Sequence, residues 1–304
     1  MNNENHINIY NNSFIRTTVY DISNTILKNL SRQKKTIKHF VFDLDETLGC
    51  FTHLDILWTG LQLHFSDPFQ HLDILQEIFN EILDLYPEFL RYGIVQILTF
   101  LYNKQQQGLC GNVYIYTNNQ CSPNWVNLII KYIECKGNIQ GLFHNIVRAF
   151  KPIMNGNVIE RMYNIHTKTK DDFIKCTLLP KSAEICFIDD SFYPKMCRNN
   201  IFYIQLKPFY HSLTAKDIYL RFAQSKIAQM IMTDNIEQFE QWFLSNALRF
   251  NYFIKTHEDH KIDILVSKKL MSYIRDFFYM EIYKRKTCKI KHSPILNKTI
   301  KTPM

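Results

Sequence analysis

Four short apolar runs limit what this chain can fold into. Residues 37–42, 113–116, 184–188 and 201–206 are each too short for a helix and apolar over most of their length. Strands buried on both faces read this way. Between the runs lie longer stretches whose apolar residues recur at helical spacing. Strand and helix in alternation predict an α/β fold, with a parallel sheet covered by helices on both faces.

The helices can be placed by their faces and caps. Leu75, Ile78, Phe79, Ile82 and Leu83 share one face, with Asp73, Glu77, Glu81 and Asp84 opposite and Pro87 as the limit. A second helix is expected over about 93–104. A third starts at Ser122-Pro123, with Trp125, Leu128, Ile129, Tyr132 and Ile133 inward. Residues 138–165 are ambiguous and compatible with short strands. A helix near 168–179 stops before Pro180. Beyond Leu206 the pattern is helical, with one start at Asp234-x-x-Glu237 and another helix following Ser267 and ending near Tyr283. The expected division is a flexible segment over 1–36 with one amphipathic stretch at 17–30, an α/β domain over 37–206 with an acidic helical insert at 49–90, a helical extension over 207–283, and a basic disordered tail at 284–304.

Charge follows these boundaries. The formal net charge is +8, but 284–304 holds seven Lys/Arg and no acid, and 1–40 holds six bases and two acids. The body, 41–283, therefore carries 8 − 7 − 4 = −3. Residues 49–90 hold seven acids and no Lys or Arg. A folded domain that grips a duplex normally shows its basic charge in the body, so nucleic acid is a partner only through the basic tail. That tail reads equally as a solvated end or a nuclear signal. The eight cysteines form no C-x-x-C pair and several sit in apolar runs, which fits a reducing compartment. No signal-peptide pattern opens the chain and no apolar stretch approaches the roughly 18 residues of a membrane span. The expectation is an intracellular protein, cytoplasmic or nuclear, not secreted and not in a membrane. Oligomeric state is not legible. With only 8 glycines, the chain has neither G-x-G-x-x-G nor a Walker-type phosphate loop.

Three of the strands end in residues suited to phosphate chemistry. The first runs into Asp43-Leu44-Asp45-Glu46-Thr47. Past a strand end both aspartates can converge on one site, and open α/β sheets hold ligands at that edge. One carboxylate can attack phosphorus while the other moves protons. Two anions facing a phosphate call for a divalent cation. The second run ends in Thr117-Asn118, a hydroxyl and amides able to hold phosphate oxygens. The third ends in Asp189-Asp190-Ser191, acids that need a cation or donors. Lys170, just before Asp171-Asp172, can neutralise a transferring phosphoryl group. Each of these pieces alone also serves as a turn, a helix cap or a solvated surface group; their order along the chain is what makes the set specific.

In these motifs the chain resembles the haloacid-dehalogenase-like phosphatase superfamily, a Rossmann-like fold, over about 38–206. Within it, FDLDETL at 42–48, with Glu46, resembles the FCP/SCP branch related to phosphatases of the RNA polymerase II C-terminal domain. YIYTNN at 114–119, Lys170-Asp171 and IDDS at 188–191 match the other motifs. The resemblance implies Asp43 as the nucleophile that becomes an aspartyl-phosphate, and Asp45 as general acid and base. It implies Thr117 and Lys170, with Asn118, as phosphoryl ligands. It implies Mg2+ held by Asp43, the Asp45 carbonyl and Asp190, with Asp189 in support and the two acids unranked. The implied substrate is phosphoserine or phosphothreonine in protein. A small-metabolite or nucleic-acid 3′-phosphate, or a non-catalytic interaction role, are the alternatives. Phe192 stands where that branch has proline, Lys151 rivals Lys170, and the usual substrate-binding insert is not recognisable over 138–165.

Overall fold

The computed structural model describes residues 6–9, 37–65, 69, 72–148, 167–232, 234–250 and 253–279. Lys151, the stretch at 17–30 and the basic tail lie outside them.

The predicted apolar runs are parallel strands because each is flanked on both sides by another. β1 (His6–Ile9), β2 (Lys38–Phe42), β3 (Cys110–Thr117), β4 (Phe143–Arg148), β5 (Glu184–Asp189) and β6 (Ile201–Leu206) form one sheet in the order β1-β6-β5-β2-β3-β4. All pairings are parallel. β2 lies between β3 and β5, so the chain leaves it in one direction and returns on the other side. Ligands collect at such a switch point in open α/β sheets. β1 is a departure from the expected flexible start: residues 6–9 pair with 203–206 at the sheet edge. β4 falls in the stretch that was ambiguous.

Alternation along β2 divides the interior. Phe40 and Phe42 enter the larger core, whereas Val41 joins Tyr114, Phe173, Phe187 and Tyr203 on the other face. The acidic insert is α1 (Thr52–His64) and α2 (Leu72–Asp84). Leu75, Ile78, Phe79, Ile82 and Leu83 are buried, with Glu77, Glu81 and Asp84 exposed, as the spacing required. α3 (Ile94–Gln106) and α4 (Pro123–Gly137) follow the expected starts. The short α5 (Lys170–Thr177) begins two residues later than expected.

The extension comprises α6 (Ala215–Ala223), α7 (Lys226–Ile231), α8 (Ile236–Ala247) and α9 (His257–Tyr279). It shares the main core and does not stand apart from it. Phe277 of α9 stacks on Phe202 of β6 at 5.5 Å and meets Phe40 of β2 edge-on at 5.5 Å. α8 crosses α1 closely at Gly60, where a Cβ would lie 2.5 Å from the Trp242 ring. Two expected boundaries are corrected. α8 starts at Ile236 behind Asn235 in the left-handed region, without a side-chain cap. α9 starts ten residues before Ser267: Thr256 Oγ1 accepts from the Asp259 amide and donates to its carboxylate, which caps the helix there. Ser267 is buried inside α9 and donates to the Tyr92 carbonyl at 2.5 Å. The described residues contain no helix long and apolar enough to cross a membrane.

Candidate active site

The site forms where β2, β3 and β5 end together. The Asp43 amide donates to the Ile188 carbonyl at 2.9 Å, carrying the β2–β5 ladder one residue past the strand. The chain then turns sharply, with the Leu48 amide on the Leu44 carbonyl at 2.8 Å and Glu46 at φ 55°. A non-glycine residue in that left-handed region costs about 1–2 kcal/mol, so the surroundings must hold it. Arg91 does so. Its guanidinium donates to the carbonyls of Glu46, Thr47 (2.6 Å) and Lys207 (2.8 Å). The Phe209 amide adds a second donor to Glu46 O at 2.9 Å. Arg91 is only 2% exposed. Burial lowers its pKa to about 10, which leaves it charged at neutral pH. Replacing it removes donors from three carbonyls at once. Arg91→Met should cost about 3 kcal/mol, read as a lower urea midpoint, and should reduce any activity that depends on the 43–49 turn.

Asp43, Asp189 and Asp190 offer carboxylate oxygens that all lie within 4.8 Å of one another. The first two are buried and the third is half-buried. Such a group can hold a metal ion. Against these three acids stands, among the described residues, one ammonium, that of Lys168, bonded to Asp43 Oδ1 at 2.5 Å and Asp189 Oδ2 at 2.7 Å. Burial opposes the charge on Lys168, but the Asp189 and Asp43 carboxylates more than offset it and raise its pKa. Asp189 is pushed upward by burial and pulled back by Lys168. With an ammonium at 2.7 Å and the Ser191 amide on its other oxygen at 2.9 Å, the ionised pair is the stable arrangement. The net surplus of negative charge, in oxygen ligands, fits a hard divalent cation.

The two adjacent acids thus separate by environment. Both oxygens of Asp189 are committed, one to Lys168 and one to the Ser191 amide. Asp190 is oriented by Thr47, whose hydroxyl donates to Oδ1 at 3.2 Å and accepts from the Asp190 amide at 3.0 Å. Asp189 therefore holds the lysine, whereas the Asp190 carboxylate is bonded by the hydroxyls of Thr47 and Ser191 (3.4 Å to Oδ2) and not by the ammonium.

Asp45 lies beside this group. Asn119 Nδ2 donates to its Oδ2 at 2.7 Å. Burial, against the pull of that hydrogen bond, raises the Asp45 pKa to about 6. Burial and the neighbouring Asp45, Asp190 and Asp43 charges push Glu46 up to about 8. Thr117 is buried at the end of β3, and its Oγ1 accepts from the Asn119 amide at 3.0 Å. Asn118 donates to the hydroxyl of Tyr193 at 3.1 Å, the ring of which lies 5.2 Å from the Lys168 ammonium.

Lys170 is not in the cluster. Its Nζ donates to the Asn199 carbonyl at 2.6 Å. The reason is helix phase: Thr169 caps α5, accepting from the Asp172 amide at 3.1 Å, which makes Lys170 the first helical residue. Lys168 precedes the cap and lies under the rings of Tyr116 (5.7 Å) and Tyr193 (5.2 Å). Sequence reasoning missed Lys168, Asn119, Thr47 and Arg91. The Thr169-x-x-Asp172 cap was the available signal for the lysine.

A pocket of about 190 Å³ adjoins the turn, lined in part by Glu46, His53, Tyr210, His211, Phe250 and Phe253. Its histidines form a chain: the Leu213 amide donates to His211 Nδ1, leaving Nε2–H to donate to His53 Nδ1 at 3.1 Å. Burial lowers His211 to about 3 and lowers His53 as well, so both are neutral near pH 7.

Comparison of the chain with family models, curated proteins and solved structures finds no match.

Proposed function

We propose that the protein is a Mg2+-dependent phosphomonoesterase working through an aspartyl-phosphate on Asp43, with phosphoserine or phosphothreonine in protein as substrate. The observation that carries this reading is the Lys168 ammonium held between Asp43 and Asp189, with Asp190 and Asp45 alongside, at the switch point of a parallel sheet. It is the arrangement expected of the haloacid-dehalogenase-like phosphatases that the motifs resemble, with Lys168 in the role expected of Lys170.

Asp43 Oδ attacks phosphorus in line with the departing oxygen, and the bond to that oxygen breaks. Asp45 gives its proton to the leaving alkoxide. A pKa of about 6 suits a group that must hold a proton in one step and take one in the next. Water, losing its proton to Asp45, then attacks the aspartyl-phosphate and releases inorganic phosphate. Lys168 and the Thr117 hydroxyl hold phosphoryl oxygens through both transfers. Mg2+, bound by Asp43, Asp190 and the Asp45 carbonyl, would neutralise charge on those oxygens. The Asp189 carboxylate keeps Lys168 in place.

Purified protein should hydrolyse a generic aryl phosphate and a phosphoserine peptide when Mg2+ is present. Excess chelator should stop turnover and added Mg2+ should restore it. No phosphate release from either substrate with Mg2+ would overturn the assignment.

A further inference from the structure

The pocket beside the carboxylates has no part in the phosphoryl transfer. Glu46 belongs to both: it lines the pocket and follows Asp45 directly in the turn that carries Asp43 and Asp45. The pocket therefore adjoins that turn. Tyr210, Phe250 and Phe253 line it while 42%, 48% and 49% exposed. The rings of Tyr210 and Phe253 are 6.1 Å apart and tilted by 33°. Aromatic rings left half in water around a cavity mark a place for a ligand.

The chemistry of the walls selects the ligand. Among the described residues lining the pocket, Glu46 is the only acid and no Lys or Arg is present. His53 and His211 bond to each other and add no cation. A carboxyl acceptor among aromatic faces suits a cation on a long stem. A planar guanidinium suits it best, because it stacks on a ring while its N–H groups reach a carboxyl oxygen. The body of the chain is acidic, and 49–90 holds seven acids without a base. That field favours a basic substrate segment over a multiply phosphorylated one.

We propose that this pocket binds an arginine side chain flanking the phosphoserine or phosphothreonine of the protein substrate, an assignment that rests on the phosphatase reading above. Lysine fits less well, since an ammonium cannot stack. An apolar side chain would cover Glu46 without giving it a donor.

The test uses singly phosphorylated serine peptides in which arginine is walked through the flanking positions. Each is compared with the same peptide carrying citrulline, norleucine or phenylalanine there. Binding to Asp43→Asn protein with Mg2+ is measured by fluorescence anisotropy, and turnover by the unaltered protein is measured in parallel with an aryl phosphate. At one position arginine should bind about ten-fold tighter than citrulline or norleucine. Phe253→Ala and Tyr210→Ala, checked for folding by circular dichroism, should each narrow that gap. Equal binding of arginine and citrulline at every position would overturn the assignment, as would phenylalanine binding best. A gap undiminished in both variants would place the arginine elsewhere. An arginine preference without aryl-phosphate hydrolysis would sink the phosphatase reading and leave the pocket standing.

Discussion

Asp43→Asn should lower Mg2+-dependent aryl-phosphate hydrolysis by about ten-thousand-fold or more while leaving the protein folded. An amide cannot supply the attacking oxygen, so the covalent route closes completely. The fold should tolerate the change because Lys168 keeps Asp189 at 2.7 Å as its counter-ion. The substitution also removes one negative charge from three crowded carboxylates. The unfolding midpoint should therefore stay close to that of the unaltered protein. Hydroxylamine attacks an acyl phosphate to leave a hydroxamate, so turnover in its presence should mark Asp43, found by peptide mass spectrometry. Unaltered activity in Asp43→Asn, or a hydroxamate at another residue, would remove Asp43 as the nucleophile.

Strand identity was legible because strands buried on both faces must be apolar throughout, as 185–188 and 201–204 are. The acidic ends of β2 and β5 were legible for the complementary reason: carboxylates following such runs have no packing role there. What failed was anything decided by phase or by distant partners. Lys168 and Lys170 lie two residues apart, and only the cap at Thr169 determines which one leaves the helix toward the site. Asn118 and Asn119 divide similarly, with the second reaching Asp45 and the first Tyr193. Ser267 resembles a helix start locally, but Thr256 caps α9 and Ser267 is buried against Tyr92. Arg91 carried no local signal at all, since its acceptors lie at 46, 47 and 207. The extension over 207–283 had visible helical periodicity, yet its place in the main core depends on contacts such as Phe277 with Phe40 and Phe202.

Lys168→Met and Lys170→Met should separate by orders of magnitude. Lys168 is 2% exposed and bonded to two carboxylates. Methionine fills similar volume but leaves Asp43 and Asp189 facing each other without a counter-charge. Breaking a buried pair this way costs about 3–5 kcal/mol. Removing the cation from the phosphoryl position should lower turnover by about a hundred-fold or more. The stability deficit has a sign in pH. Burial already pushes Asp189 upward, and without Lys168 nothing comparable pulls it back. A carboxyl whose folded pKa is raised destabilises increasingly as pH rises above its unfolded value. The deficit should therefore shrink on acidification, as Asp189 takes a proton, and this can be read from urea midpoints across pH. Lys170 gives the contrast: its ammonium holds one carbonyl, that of Asn199. Its loss should cost about 1 kcal/mol or less and leave turnover within about two-fold. Should Lys170→Met prove the inactive variant, the ion pair of Lys168 with Asp43 and Asp189 would be structural only, and the phosphoryl-binding role would return to Lys170.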